Sequence, residues 1–142
     1  MTARDDHGLA RFVTAQDPVI ANVQAELAAG QKRSHWMWFI FPQLAGLGHS
    51  AMAQRYALSG LEEAAAYLAH PILGPRLREC VRLAMSSHRP ALAIFGPVDA
   101  QKLHSSLTLF ALASREALFT EALAQFFNSA QDQGTLALLG KA

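Results

Sequence analysis

The 142 residues carry 12 Lys and Arg against 11 Asp and Glu, a formal net charge of +1, with 51% hydrophobic and 16% charged side chains. That balance excludes a disordered chain and argues against a dedicated nucleic-acid binder, whose affinity rests on many cationic contacts to phosphate, while leaving a single mononucleotide open as a ligand. Cys80 is the one cysteine, which excludes an internal disulfide and argues against a cysteine-built zinc site.

The length fits one domain over residues 1–142, able to bury a core without covalent staples, with residues 1–7 expected to be flexible. Asp5 and Asp6, with no apolar stretch beside them, do not read as a signal peptide. The apolar run from Trp36 to Phe41 is far short of the ~20 residues that span a bilayer. A soluble cytoplasmic protein without membrane contact is the expectation.

In chain order, Asp17-Pro18 places a capping residue before a proline at the first helical position, and Gly30 supplies a stop. Ile20, Val23 and Leu27 recur between them at helical spacing. The next stretch, Gln31 to Gly48, holds both tryptophans, Trp36 and Trp38, beside Lys32, Arg33 and His35. Its aromatic content favours a strand. Ser34 as N-cap, Pro42 as terminator and the helical neighbours favour a buried helix over Trp36 to Phe41, which is the reading adopted. In that helix His35, Trp38, Phe39 and Pro42 share one face, and Trp36, Met37 and Ile40 another.

Ser59-Gly60-Leu61-Glu62 reads as a capping box with Glu62 bonding back to the Ser59 amide. It opens an alanine-rich helix with Leu61, Ala65 and Leu68 inward, ended by His70-Pro71. Gly74-Pro75 starts a helix with Leu77, Val81 and Ala84 inward and Arg78 and Arg82 on an exposed or ligand-facing edge. Pro90 interrupts the pattern, and Asp99 caps a helix carrying Leu103, Leu107, Phe110 and Ala111. A last strong helix from about Arg115 to Phe127 buries Leu118, Ala122 and Phe126, and Thr135 to Leu139 adds a C-terminal turn. The sum is an all-α, single-domain multihelical bundle without significant sheet.

Four segments carry a family likeness: Leu9-Ala-Arg-Phe-Val-Thr-Ala-Gln16, Lys32-Arg-Ser-His-Trp-Met-Trp-Phe-Ile-Phe-Pro-Gln43, Tyr67-Leu-Ala-His-Pro-Ile-Leu-Gly-Pro-Arg-Leu77 and Lys102-Leu-His-Ser-Ser-Leu-Thr-Leu-Phe110. Through them the chain resembles, over nearly its full length, the bacterial family called domain of unknown function 1810. The resemblance implies a multihelical fold. It carries no activity, substrate or catalytic residue.

The candidate chemistry therefore rests on the residues themselves. Arg33 has the fork geometry to clamp a carboxylate or phosphate, or belongs, as Lys32 does, to a solvated turn at a helix C-terminus. His35 is the candidate general acid or base, against a structural imidazole holding a carbonyl. One of Trp36 and Trp38 is expected in the core and the other stacked on a flat ligand, although both in the core is the commoner outcome. Gln43 reads an amide or base edge, or caps the helix end. Lys102 and Ser105 fall within one helical turn, but in the reverse of the usual Ser-x-x-Lys order; they are rim candidates, with hydroxyls bonded to the preceding turn as the plain reading.

Gly46-Leu47-Gly48 lacks the strand-turn-helix setting of a dinucleotide fingerprint. His7, His49, His70, His88 and His104 show no metal spacing, and Cys80 reads as an inert small hydrophobe. Neither a metal nor a cofactor is expected. The function read from this set is binding of a flat anionic small molecule, nucleotide-like or an acidic metabolite, in an aromatic-walled pocket, with hydrolase-type chemistry in view. The alternative is a non-enzymatic protein-interaction module. The expected partner is thus a small molecule or a protein, with no membrane, and the near-neutral charge disfavours a nucleic acid.

Overall fold

Prolines at 18, 42, 71, 75, 90 and 97, with glycines among them, cut the chain into short helical lengths. The computed structural model describes residues 7–141, and among these it contains nine helices. They are α1 (Ala10–Gln16), α2 (Ile20–Ala28), α3 (Met37–Ile40), α4 (Ala51–Arg55), α5 (Leu61–Ala69), α6 (Leu73–Ser86), α7 (Ala91–Ala113), α8 (Ala117–Phe127) and α9 (Gln133–Leu138). The fold is all-α: the described residues form no strand, only one parallel bridge between Leu44 and Leu58. No described helix is long and apolar enough to cross a membrane. Of the stretch expected to be flexible, residues 1–6 lie outside the described residues.

The longest element, α7, is the hub. It packs on α5, α8 and α9, while α6 joins α2, α5 and α8, and α1 covers α3. One apolar cluster runs through these contacts, with Phe12, Val23, Leu27, Trp36, Tyr67 and Phe110 among its fully buried members. α1 and α4 are helices that the periodicity of short segments did not reveal. Gln16 explains why α1 docks where it does. Its buried amide donates to the Phe39 carbonyl at 2.7 Å and to the Tyr67 hydroxyl at 2.9 Å. A one-turn helix has carbonyls without internal partners, and a buried one must find a donor.

Local corrections to the expected elements have local causes. α3 is a single turn instead of a helix from Trp36 to Phe41. Ser34 does not cap it, because its hydroxyl donates to Glu26 at 2.6 Å, and Trp36 occupies the N-cap position. All of Trp36, Met37, Phe39, Ile40, Phe41 and Pro42 are buried, so the expected division into two faces gives way to burial nearly all round, with Trp38 half-buried. In α5 the carboxylate that accepts the Ser59 amide is that of Glu63, at 2.9 Å, one residue beyond Glu62. Gly60 is the N-cap, so Glu63 is the third helical residue, and its carboxylate reaches one residue past the cap to the Ser59 amide. The face turned inward is Glu63, Ala64, Tyr67 and Leu68. Leu77, Val81 and Ala84 of α6 do face inward, as their spacing requires.

α7 bends where Gly96 adopts φ 78° and ψ 170°, a conformation open to glycine, and Pro97 restarts the helix. Asp99 therefore lies inside the element, in the first turn after the bend, and is not its cap. Its carboxylate is free to bond elsewhere. Pro90 begins α7 as N-cap instead of interrupting it.

Arg78 is not a free edge residue. Its guanidinium forks onto Glu116, Nε to Oε1 at 2.7 Å and Nη2 to Oε2 at 3.0 Å, and Nη2 also donates to the Leu68 carbonyl at 3.2 Å. One side chain thus joins the end of α5, the body of α6 and the start of α8. The hydrogen bond from Arg78 holds the Glu116 carboxyl below its ordinary range. This junction is possible because α5 and α6 meet at Gly74, where a Cβ would stand 2.1 Å from the Leu68 carbonyl oxygen. Backbone cannot give way as a side-chain tip can. Gly74→Ala is expected to cost about 3 kcal/mol, read as a fall in the urea midpoint at unchanged slope. An unchanged midpoint would mean that the α5–α6 corner is not closely packed.

Candidate functional site

The candidate site begins with how α2 ends. Gly30, at φ 73°, closes a Schellman turn: its amide donates to Leu27 and that of Gln31 to Glu26, both at 3.0 Å. The chain then leaves the helix with amides that need acceptors. Glu26 supplies one carboxylate for the whole turn. Oε1 accepts the Arg33 amide at 2.5 Å, the Ser34 amide at 3.0 Å and the Trp36 indole N–H at 3.1 Å, and Oε2 accepts the Ser34 hydroxyl. Burial works against the charge on Glu26, but these donors, the Ser34 hydroxyl first, outweigh it and hold the carboxyl below its ordinary range.

The indole bond fixes Trp36 in the core at 1% exposure, edge-on to Phe95 with ring centroids 6.5 Å apart. Lys32 lies over its face, the ammonium 5.0 Å from the ring centre. The Lys32 amide donates to the Ile94 carbonyl at 2.8 Å, which ties this loop to the first segment of α7. The Lys32 ammonium pairs with Asp99 Oδ2 at 2.9 Å and donates to the Ser34 carbonyl at 2.6 Å. On the other side of Asp99, Lys102 stands 3.7 Å from Oδ1, and its ammonium sits 5.2 Å above the ring of Trp38. Two ammonium groups share one carboxylate, and each covers one indole. The arrangement leaves local positive charge beside a half-buried aromatic face.

Trp36, Trp38 and Lys102 thus meet at one seam. Lys32, read from sequence as a solvated turn residue, belongs to it with a side chain only 9% exposed. Arg33 and His35 occupy the same loop but point outward; both are exposed, and among the described residues the Arg33 guanidinium bonds only the Gln31 side chain, at 3.2 Å. Gln43 is held through its carbonyl, which accepts the Leu58 amide beside the Leu44–Leu58 bridge. Ser105 lies apart from the seam. Its buried hydroxyl donates to the Gln101 carbonyl and to Asp132, each at 3.1 Å. Ser106 is the hydroxyl that shares the Lys102 face, one turn on, and its buried Oγ has no hydrogen-bond partner.

Sequence reading gave Asp99 only a capping role and passed over Glu26. Glu26 does leave a signal. An acid in the last turn of a helix opposes the helix dipole, so it needs donors from beyond the helix. Cys80 is fully buried, and burial pushes its thiol up to about 12, so it stays protonated and unreactive. Among the described residues no three His, Cys, Asp or Glu side chains gather as metal ligands.

Comparison with known proteins adds two findings. The family model described as "Protein of unknown function (DUF1810)" matches residues 6–139. A crystal structure of a conserved hypothetical protein from Mycobacterium tuberculosis, Rv1873, is similar at 52% identity over 96% of this chain and 99% of that one, with a TM-score of 0.93. No curated protein matches.

Because the Glu26 carboxyl is held below its unfolded value, the stabilisation it gives is complete above the unfolded pKa and is lost as pH falls through the lower, folded one. Glu26→Gln is expected to cost about 1–2 kcal/mol at neutral pH, discounted for partial exposure, and to flatten that acid limb. Urea unfolding at a series of pH values, with the tryptophan emission maximum in a Trp38→Phe background as the probe of Trp36, checks both. An acid limb that persists in Glu26→Gln would assign it to another carboxylate.

Proposed function

We propose that this chain, which belongs to the DUF1810 family, binds a flat, negatively charged small molecule at the seam of Trp38, Lys102, Asp99 and Lys32. The ring of the ligand stacks on Trp38, and its anionic group takes the place of Asp99 on Lys102. The unequal pairing of the two lysines supports this reading. Lys32 is fixed by a 2.9 Å ion pair and low exposure, whereas Lys102, at 3.7 Å, is loosely paired and partly open. A loosely held ammonium above an aromatic face exchanges one anion for another at little cost. Trp38 is the stacking face, since Trp36 is enclosed by the core and by Glu26.

Arg33 and His35 form an outer rim that attracts the anion without holding it in a fixed geometry, and Gln43 stands outside the contact set. The reading is one of binding. Ser105 takes no part in it, because its hydroxyl is engaged with Gln101 and Asp132 away from the seam.

Tryptophan fluorescence tests the proposal, with adenosine monophosphate and an aromatic carboxylate as probes at low salt. Saturable quenching is expected, absent in Trp38→Phe. The dissociation constant should rise about tenfold or more in Lys102→Ala, the scale of a lost charge-assisted contact. Arg33→Ala should change it less, and only at low ionic strength. Quenching that survives Trp38→Phe, or no saturable response to either probe, would remove the reading.

A further inference from the structure

The face of α7 opposite Lys102 borders a recess of about 320 Å3, lined by Ala111, Thr120, Leu123, Ser129, Gln131 and Gln133. Ala111 follows Lys102 by nine residues, half a revolution round the helix, so this recess is separate from the indole seam. Its lining has an unusual make-up. Four residues carry neutral hydrogen-bonding groups, two are apolar, and none is charged or aromatic.

The loop between α8 and α9 explains how that lining is held. Alternate residues anchor it. Asn128 ends α8 in the left-handed conformation at φ 54°, with its amide on the Leu123 carbonyl. Ala130 donates to the Phe127 carbonyl at 3.0 Å and accepts the His104 Nε2–H at 2.7 Å, the imidazole itself stacked on Phe127 at 4.2 Å. Asp132 donates its amide to Thr108 Oγ1 at 2.9 Å, and its buried carboxylate accepts from Gln101, Ser105 and both the amide and the hydroxyl of Thr135. The residues between these anchors, Ser129, Gln131 and Gln133, are exposed and line the recess, and no side-chain hydrogen bond joins them to another described residue. Ser129 is itself held at φ 67°, a conformation that a residue with a side chain rarely takes. His104, Ser105 and Thr108 thus fix a loop that presents solvent-exposed polar side chains to an open recess.

We infer that this recess is a binding site for an uncharged, hydroxyl-rich small molecule of monosaccharide size. Serine, threonine and glutamine side chains both donate and accept, as sugar hydroxyls do. A lining without charge offers an ion nothing, and one without an aromatic ring offers a flat ring no partner. Ala111 and Leu123 give the apolar floor on which the C–H face of such a ligand rests. Pockets of a few hundred Å3 with a few fixed polar groups are the usual form of small-molecule sites.

Amide-resolved NMR titration with D-ribose, D-glucose and myo-inositol tests this, with inorganic phosphate as the charged control. At least one of the three should give saturable shifts confined to residues 111, 120, 123, 129, 131 and 133, with the Trp38 indole signal unmoved. The double variant Gln131→Leu/Gln133→Leu should weaken that response about fivefold or more, each lost hydrogen bond being worth a factor of a few. Both positions are exposed, so the fold should persist. Ser129→Gly separates binding from stability: it relieves the left-handed backbone and should raise the melting temperature, yet it removes a hydroxyl and should weaken binding. Shifts that stay linear and scattered, saturable shifts unchanged in the double variant, or an equal response to phosphate would overturn the inference.

Discussion

A single carboxylate at the end of α2 sets the geometry on which the seam depends. Glu26 sits where the helix dipole disfavours it, and it is held there by two amides, a hydroxyl and an indole N–H from the turn that follows. Those bonds convert a loop rich in cations and aromatics into a fixed piece of structure. With the Trp36 indole anchored, Met37 to Ile40 close one helical turn inside the core, and Trp38 is left at the boundary between protein and solvent. Lys32, on the same turn, is then directed across the Trp36 face to Asp99.

The second constraint is the break at Gly96 and Pro97. A straight helix over residues 91–113 would give Asp99 and Lys102 a different relation to the loop that bonds Ile94. The bend lets the first segment of α7 hold the Lys32 backbone while the second presents Asp99 and Lys102 to the two indoles. Beyond the bend, α7 serves two sides of the molecule. Its Asp99 and Lys102 side chains reach the aromatic loop. Its Gln101, Ser105 and Thr108 side chains reach the Asp132 end of the α8–α9 loop. One helix thereby places a charged aromatic seam and a neutral polar recess on opposite flanks.

The core behind both is ordinary in chemistry and specific in junctions. Arg78 satisfies the end of α5 while pairing with the start of α8, and Gln16 satisfies the end of α3 while bonding the Tyr67 hydroxyl. Burial raises the phenol pKa of Tyr67, so it remains neutral there. Each of these polar groups lies where two helix ends meet, the places at which backbone carbonyls run out of partners within their own element.

Local signals in the chain were enough for the helical class, the stop at Gly30, the end of α5 before Pro71, the inward stripe of α6 and the last turn at α9, because caps, breakers and a 3.6-residue period act over a few residues. They were also enough to single out the stretch around Trp36 and Trp38 and the stretch from Lys102 to Phe110. Local signals could not say that Asp99 joins these two stretches, that Ser105 turns to Asp132 while the buried Ser106 hydroxyl finds no partner, or that Arg33 and His35 stay outside. They likewise could not separate the core tryptophan from the boundary one, since a hydrogen bond from an indole to a carboxylate ten residues earlier depends on how the turn between them folds. Those outcomes were set by tertiary structure, where pairing and burial are settled by which surfaces meet and a residue's neighbours in space are not its neighbours along the backbone.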